Sequence, residues 1–162
     1  MKTKKSKPLK AIPLLCWDVY KMQEYTMNLN REDMRQLDAL ATEKGWKHSW
    51  NFEEKLFRQK KTILVTDTRQ QIVFASNSLY DMAGYTPAEV LGKTPHLFQG
   101  PETSSQVKEH IRNAIAQKQP FSGTLTNYRK NKEPYNCYIE GFPVFNRKGD
   151  LMNYIAFETE LS

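Results

Sequence analysis

The side chains best suited to chemistry are few and widely spaced. There are two cysteines, Cys16 and Cys137, too few for a disulfide framework or a zinc site. Reduced thiols of this kind suit a cytosolic protein. Cys137 sits in the strand-like run "EPYNCYIEGFPVF". There it reads either as a redox-sensing or adduct-forming thiol or, as is commoner for cysteine, as a buried structural one. Glu158 lies in the last such run, "LMNYIAFETEL". If buried, it has a raised pKa or needs a positive partner, and can read the charge of a ligand. If it lies at a solvated strand end, it does neither. No Ser/His/Asp pattern, paired metal-ligand spacing or phosphate-binding glycine loop is present, so an enzyme is not expected.

The elements that would position these groups fall into three stretches: a disordered basic tail over 1–10, a helical extension over 11–60, and an α+β domain over 61–162. In "NLNREDMRQLDALATEKGW" the apolar residues Met34, Leu37, Leu40 and Ala41 recur at helical spacing. Asn30 reads as the cap of this helix, with Asp33 reaching back to it, and Gly45 as its stop. "NFEEKLFRQK" gives a second short helix with Phe52, Leu56 and Phe57 on one face. Neither has the length or heptads of a strong coiled coil.

Beyond residue 60, "TILVTD" and "QIVFAS" are β-branched runs around a polar turn, a hairpin signal. "NSLYDMAGY" reads as a short helix capped by Asn77 or Ser76. "TPAEVLGK" is another, with Thr86 as cap and Pro87 at its first position. A longer helix starts at Ser104 or Ser105, carries Val107, Ile111, Ala114 and Ile115 as its apolar stripe, and cannot pass Pro120. Three strand-like runs follow, with turns at Asn131-Lys132 and "NRKGD". Their aromatics, Tyr135, Tyr138, Phe142, Tyr154 and Phe157, suit core packing. The order gives a five-stranded antiparallel sheet with helices on one face, plus the N-terminal helical extension.

The formal charge is +6, but Lys2, Lys4, Lys5, Lys7 and Lys10 leave only +1 for the rest. The basic balance is a tail property, so a nucleic-acid partner is not expected. The apolar stretch from Ala11 to Trp17 has no cleavage pattern after it, and no run approaches the ~18 apolar residues of a membrane span. A cytoplasmic location follows as the expectation.

That order of elements resembles the PAS family, close to its light-sensing LOV branch. "GYTPAEVLGKTPHLFQGPETS" is similar to the LOV helical segment, "ILVTD…IVFASN" to the opening strands, and "NYRKN" with "NRKGDLMNYIAFE" to the closing meander. The resemblance covers about residues 61–161. It implies a sensory domain with a pocket between sheet and helices. LOV domains hold FMN beside a cysteine in a segment of the form Gly-Arg-Asn-Cys-Arg-Phe-Leu-Gln-Gly. Here the segment runs from Gly92 to Gly100, with Pro95 at the nucleophile position, Thr94 before it and His96 in place of a phosphate-binding arginine. Gln99 is kept, and Arg112 matches a second such arginine.

The family also turns two asparagines and a glutamine toward the flavin's polar edge. The first asparagine matches Asn127, the second falls on Cys137, and the glutamine on Glu158. Asn136, one position off, must point to the opposite face. Each unpaired flavin group would cost about 1–3 kcal/mol, so tight FMN binding is not expected, and neither is cysteinyl photochemistry. His96 and His110 raise haem, which a lone histidine does not support. The resemblance thus implies a small-molecule sensor using Gln99, Asn127, Cys137, Glu158, Arg112 and His96. The alternative is a ligand-free interaction module. A homodimer is expected. With no effector domain after Ser162, output is expected in trans, to a separate signalling protein, or through the N-terminal helices.

Overall fold

A run of 31 residues without glycine or proline, Leu14–Lys44, forms a single helix, α1, because every position in it tolerates helical geometry. The computed structural model describes residues 14–162, with side chains from Cys16; the lysine-rich tail lies outside these residues. Gly45 ends α1 at φ +62, a conformation that glycine adopts without steric cost. A π-helical turn, Glu54–Arg58, follows. Then come β1 (Thr62–Asp67), β2 (Ile72–Ala75), α2 (Leu79–Ala83), α3 (Pro87–Val90), a 3-10 turn (Pro95–Phe98) and α4 (Ser105–Ala116). The chain closes with β3 (Phe121–Tyr128), β4 (Pro134–Phe145) and β5 (Leu151–Leu161). All five strands form one antiparallel sheet in the order β2-β1-β5-β4-β3.

Two cores sit on opposite faces of this sheet. Alternation along each strand divides them, because successive side chains leave opposite faces. Leu64, Leu125, Cys137 and Ile139 pack under α2, α3 and α4 with Leu79, Val90 and Phe98. Ile63, Val65, Val144, Ile155 and Phe157 pack on the other side, against Leu37 of α1, Trp46, Phe52 and Leu56. The extension is therefore the second layer of a sheet covered on both faces. Trp46 fixes its end. Its indole N–H donates to Asn153 Oδ1 at 2.9 Å, and Asn153 Nδ2 donates to the Thr66 carbonyl at 3.1 Å.

Three local expectations change. The helix begins at least sixteen residues before Asn30, which lies inside it and caps nothing. Residues 16–28 are exposed throughout, so no apolar stripe marks them in the sequence. Asp33 does not reach back along α1. It is buried and accepts from the Asn77 backbone N–H (2.8 Å) and Asn77 Nδ2 (2.7 Å), which ties α1 to the start of α2. The cap residue of α2 is Ser78. Ser76 instead accepts the Ile63 N–H at 2.8 Å. By contrast, Thr86 caps α3 with Pro87 at its first position, as the sequence indicates, and α4 starts at Ser105 with Ser104 as its cap.

Asp33→Ala leaves two Asn77 donors without their acceptor at a half-buried site. Urea unfolding should show a loss of about 1–3 kcal/mol, whereas a change below a few tenths would mean that the tie holds nothing.

Candidate ligand cavity

Gly141 thins the sheet floor at its centre. The Phe121 ring lies where a Cβ at Gly141 would stand, within 2.0 Å of its Cζ. Around this point the sheet and the helical layer separate and enclose a cavity of about 330 Å³, at the small end of ligand pockets. Leu64, Leu125, Ile139, Tyr154 and Ala156 give it an apolar floor. Pro95, Phe98, Ile111 and Ile115 form the roof. Two larger depressions, of about 790 and 700 Å³, are surface grooves beside α1.

Five of the six residues singled out from sequence line this cavity: His96, Gln99, Arg112, Asn127 and Glu158. They do not play equal parts. Asn127 and Glu158 are buried on the floor, 3 % and 5 % exposed. His96 and Arg112 are exposed at the mouth, joined by Lys108. His96 Nδ1 and Gln99 Oε1 lie 2.8 Å apart, so each rim group is already the other's partner. Cys137 is the exception. It is fully buried on the same face of the sheet, two residues along β4 from the floor residue Ile139, but does not line the cavity. Asn136 points to the far face, where its Oδ1 accepts from Thr126 Oγ1, as a one-residue offset requires.

Glu158 is the charged group of the floor. Its one side-chain hydrogen bond among the described residues comes from the Cys137 thiol, at 3.6 Å. Burial pushes its carboxyl up to about 7, and the thiol's contact lowers it only slightly. Burial, and then the nearby Glu158 charge, hold both the Cys137 thiol and the Tyr135 phenol well above their usual ranges. Cys137 is thus a neutral thiol, not a nucleophile. The strand-end alternative for Glu158 does not hold. The solvated end of β5 begins at Glu160, which pairs with Arg129.

The sequence reading missed Thr66. It is 6 % exposed, lines the cavity, and among the described residues its Oγ1 has no hydrogen-bond partner. Threonine is an ordinary strand former, so nothing in "TILVTD" separates it from packing. Its phase did carry a signal, because it shares a face with Leu64.

A family model for the PAS domain matches residues 60–162. Phototropin-2 of Oryza sativa subsp. japonica is 30% identical over 117 residues, 70% of this chain and 13% of that protein. The Klebsiella oxytoca nitrogen fixation regulatory protein is 27% identical over 77% of this chain and 25% of its own length. The chain thus spans a quarter or less of these curated relatives. Among solved structures, the dark structure of the blue-light photoreceptor Aureochrome1 LOV superimposes with a TM-score of 0.64 at 26% identity, covering 72% of this chain and 86% of that one. The light-state dimer of the fungal blue-light photoreceptor Vivid gives 0.59 at 25% identity, covering 62% and 77%.

Proposed function

The chain belongs to the PAS domain family, in its LOV-like branch, and from that premise we propose that it senses a small, largely apolar molecule without cysteinyl-flavin photochemistry. One observation carries the reading: Thr66 Oγ1 and the Glu158 carboxylate are buried on the wall of an apolar cavity with no adequate partner among the described residues. Buried polar groups are otherwise satisfied, and a ligand bearing polar groups would satisfy these. Pro95 stands where a LOV nucleophile would be, and Cys137, fully buried and off the cavity wall, does not replace it. Glu158, Cys137, Thr94 and His96 depart together from a flavin site, so FMN is held weakly. The domain acts by binding, not by catalysis.

Freshly purified protein should release a small molecule on denaturation, identified by mass spectrometry of the extract. Its visible spectrum should show no flavin band that bleaches reversibly under blue light. A reversible thiol–flavin adduct would defeat the photochemical part of the proposal. A colourless protein that releases nothing and is stabilised by no added compound would defeat the sensor.

Output runs through α1. Glu158 also borders the groove beneath the first half of that helix, beside Met22, Thr26 and Met82, so one residue of β5 adjoins both the cavity and α1. Trp17, Tyr20, Met22 and Tyr25 are each more than half exposed there, an exposure that marks an interaction surface. The partner we assign is a second copy, because Asp18, Lys21 and Glu24 give this stretch both charge signs for self-pairing. Sedimentation equilibrium should find a dimer, and Trp17→Ser with Tyr20→Ser a monomer of unchanged circular dichroism. A wild-type monomer at all concentrations would overturn it and leave a separate output protein in trans as the partner.

A further inference from the structure

We infer that the molecule held in the cavity presents a hydrogen-bond donor, and best a protonated nitrogen, to Glu158. This rests on the sensor reading above and specifies its ligand.

An ionised carboxylate only accepts hydrogen bonds. Glu158 has two oxygens, and the protein offers them one thiol, a weak donor, at 3.6 Å. Arg129 and Lys61, the cations beside this end of the floor, are paired with other groups. Arg129 binds Glu160 and the Met82 carbonyl and stacks on the Tyr135 ring. Lys61 pairs with Glu140 at 3.2 Å, and Glu140, one residue after the floor residue Ile139, leaves the opposite face of β4. Lys108 and Arg112 stand at the mouth, on α4. The register partner of Glu158 on β1 is Thr62, whose hydroxyl is shared with Ser78 at 3.1 Å. A donor arriving in the cavity would therefore meet a carboxylate that is short of partners.

The same floor sets the size of the molecule. Thr66 pairs with Tyr154, four residues from the Glu158 position along β1 and β5, a separation of roughly 13 Å along the strand. Leu64 and Ala156 lie between, without a polar atom on the cavity side. The ligand is thus a flat or slender apolar body with its donor at the Glu158 end and a polar group toward Thr66. Thr66 can donate or accept, so it fixes length, whereas Glu158 fixes chemical class. The raised carboxyl of Glu158 agrees with this, since a donor ligand draws it into the ionised form that binds best.

Two probes of equal shape separate the possibilities. At neutral pH 4-aminoquinoline is protonated and carries N–H donors. Its isostere 4-methylquinoline has a methyl group in place of the amine and only an acceptor. Calorimetric titration of the full chain should show 4-aminoquinoline binding about tenfold tighter or more, as a charge-assisted hydrogen bond provides. In Glu158→Met, which removes the acceptor at similar volume, the two should bind within about twofold, and Glu158→Gln should fall between. Equal binding by the wild type, or a preference that survives in Glu158→Met, overturns the donor assignment and leaves the cavity as a ligand site. Binding of neither probe overturns the donor assignment, and the sensor reading falls with it only if the denatured protein also releases no small molecule.

Discussion

Glu158→Gln is expected to stabilise the ligand-free domain by about 3 kcal/mol near pH 8 and to flatten its stability between about pH 4.5 and 7. The sign follows from the direction of the shift. The carboxyl rises from 4.5 to about 7 on folding, so the native state holds this proton more tightly than the unfolded chain does. Its contribution to stability is complete below the unfolded value and is lost as pH rises through about 7. Glutamine is neutral throughout and loses nothing. Wild type and variant should therefore converge near pH 4, separate progressively between about pH 4.5 and 7, and run parallel above that in urea titrations. Asp33 has the same sign, since burial raises its carboxyl from 3.8 to about 6, and it is untouched by the substitution. The variant keeps that shallower loss between about pH 4 and 6. Parallel curves across the range would mean that Glu158 is solvated. The price of the native glutamate is a less stable empty domain, a cost found where stability yields to function.

Leu37→Ala should cost about 2–5 kcal/mol, the range for truncating a fully buried leucine. Leu37 has no exposed surface. It is the α1 side chain set deepest among Ile63, Val65, Ile155 and Phe157, and its loss opens a hole between helix and sheet. The damage should be one-sided. The cavity lies across the sheet in the other core, so probe affinity should change little, while the fluorescence of Trp46 and Trp50, which pack edge to face at 5.8 Å, should shift. A loss below about 1 kcal/mol would show that α1 is not docked on the sheet.

The sheet and its helical roof were legible in the sequence because each strand carries its own alternation and each turn its own chemistry. Asp67 and Asn146 illustrate this. Each folds its side-chain oxygen back onto two backbone N–H groups of its own hairpin turn. The first half of α1 was not legible. Its apolar residues, from Trp17 to Met27, are spread around the helix and face no core, so period gave no start point. Asp33 was misread because its partner, Asn77, lies on another element. Resemblance pointed to Glu158, Asn127 and Gln99, which line the cavity, yet it ranked Cys137, which does not, with them. Only the packed structure shows that Cys137 is buried beside the floor, off the cavity wall, while Thr66 opens onto the cavity. Burial of Glu158 was equally invisible, since the strand continues past it into solvent.

Occupancy of the cavity tests the sensor reading most directly. Native mass spectrometry of freshly purified wild type should show a species heavier than the bare chain, and Ala156→Leu, which fills the floor between Tyr154 and Glu158, should show the bare chain alone with unchanged circular dichroism. Bare chain in both preparations, with no compound raising the unfolding temperature of the wild type, would contradict it, as would the same bound mass surviving in the filled variant.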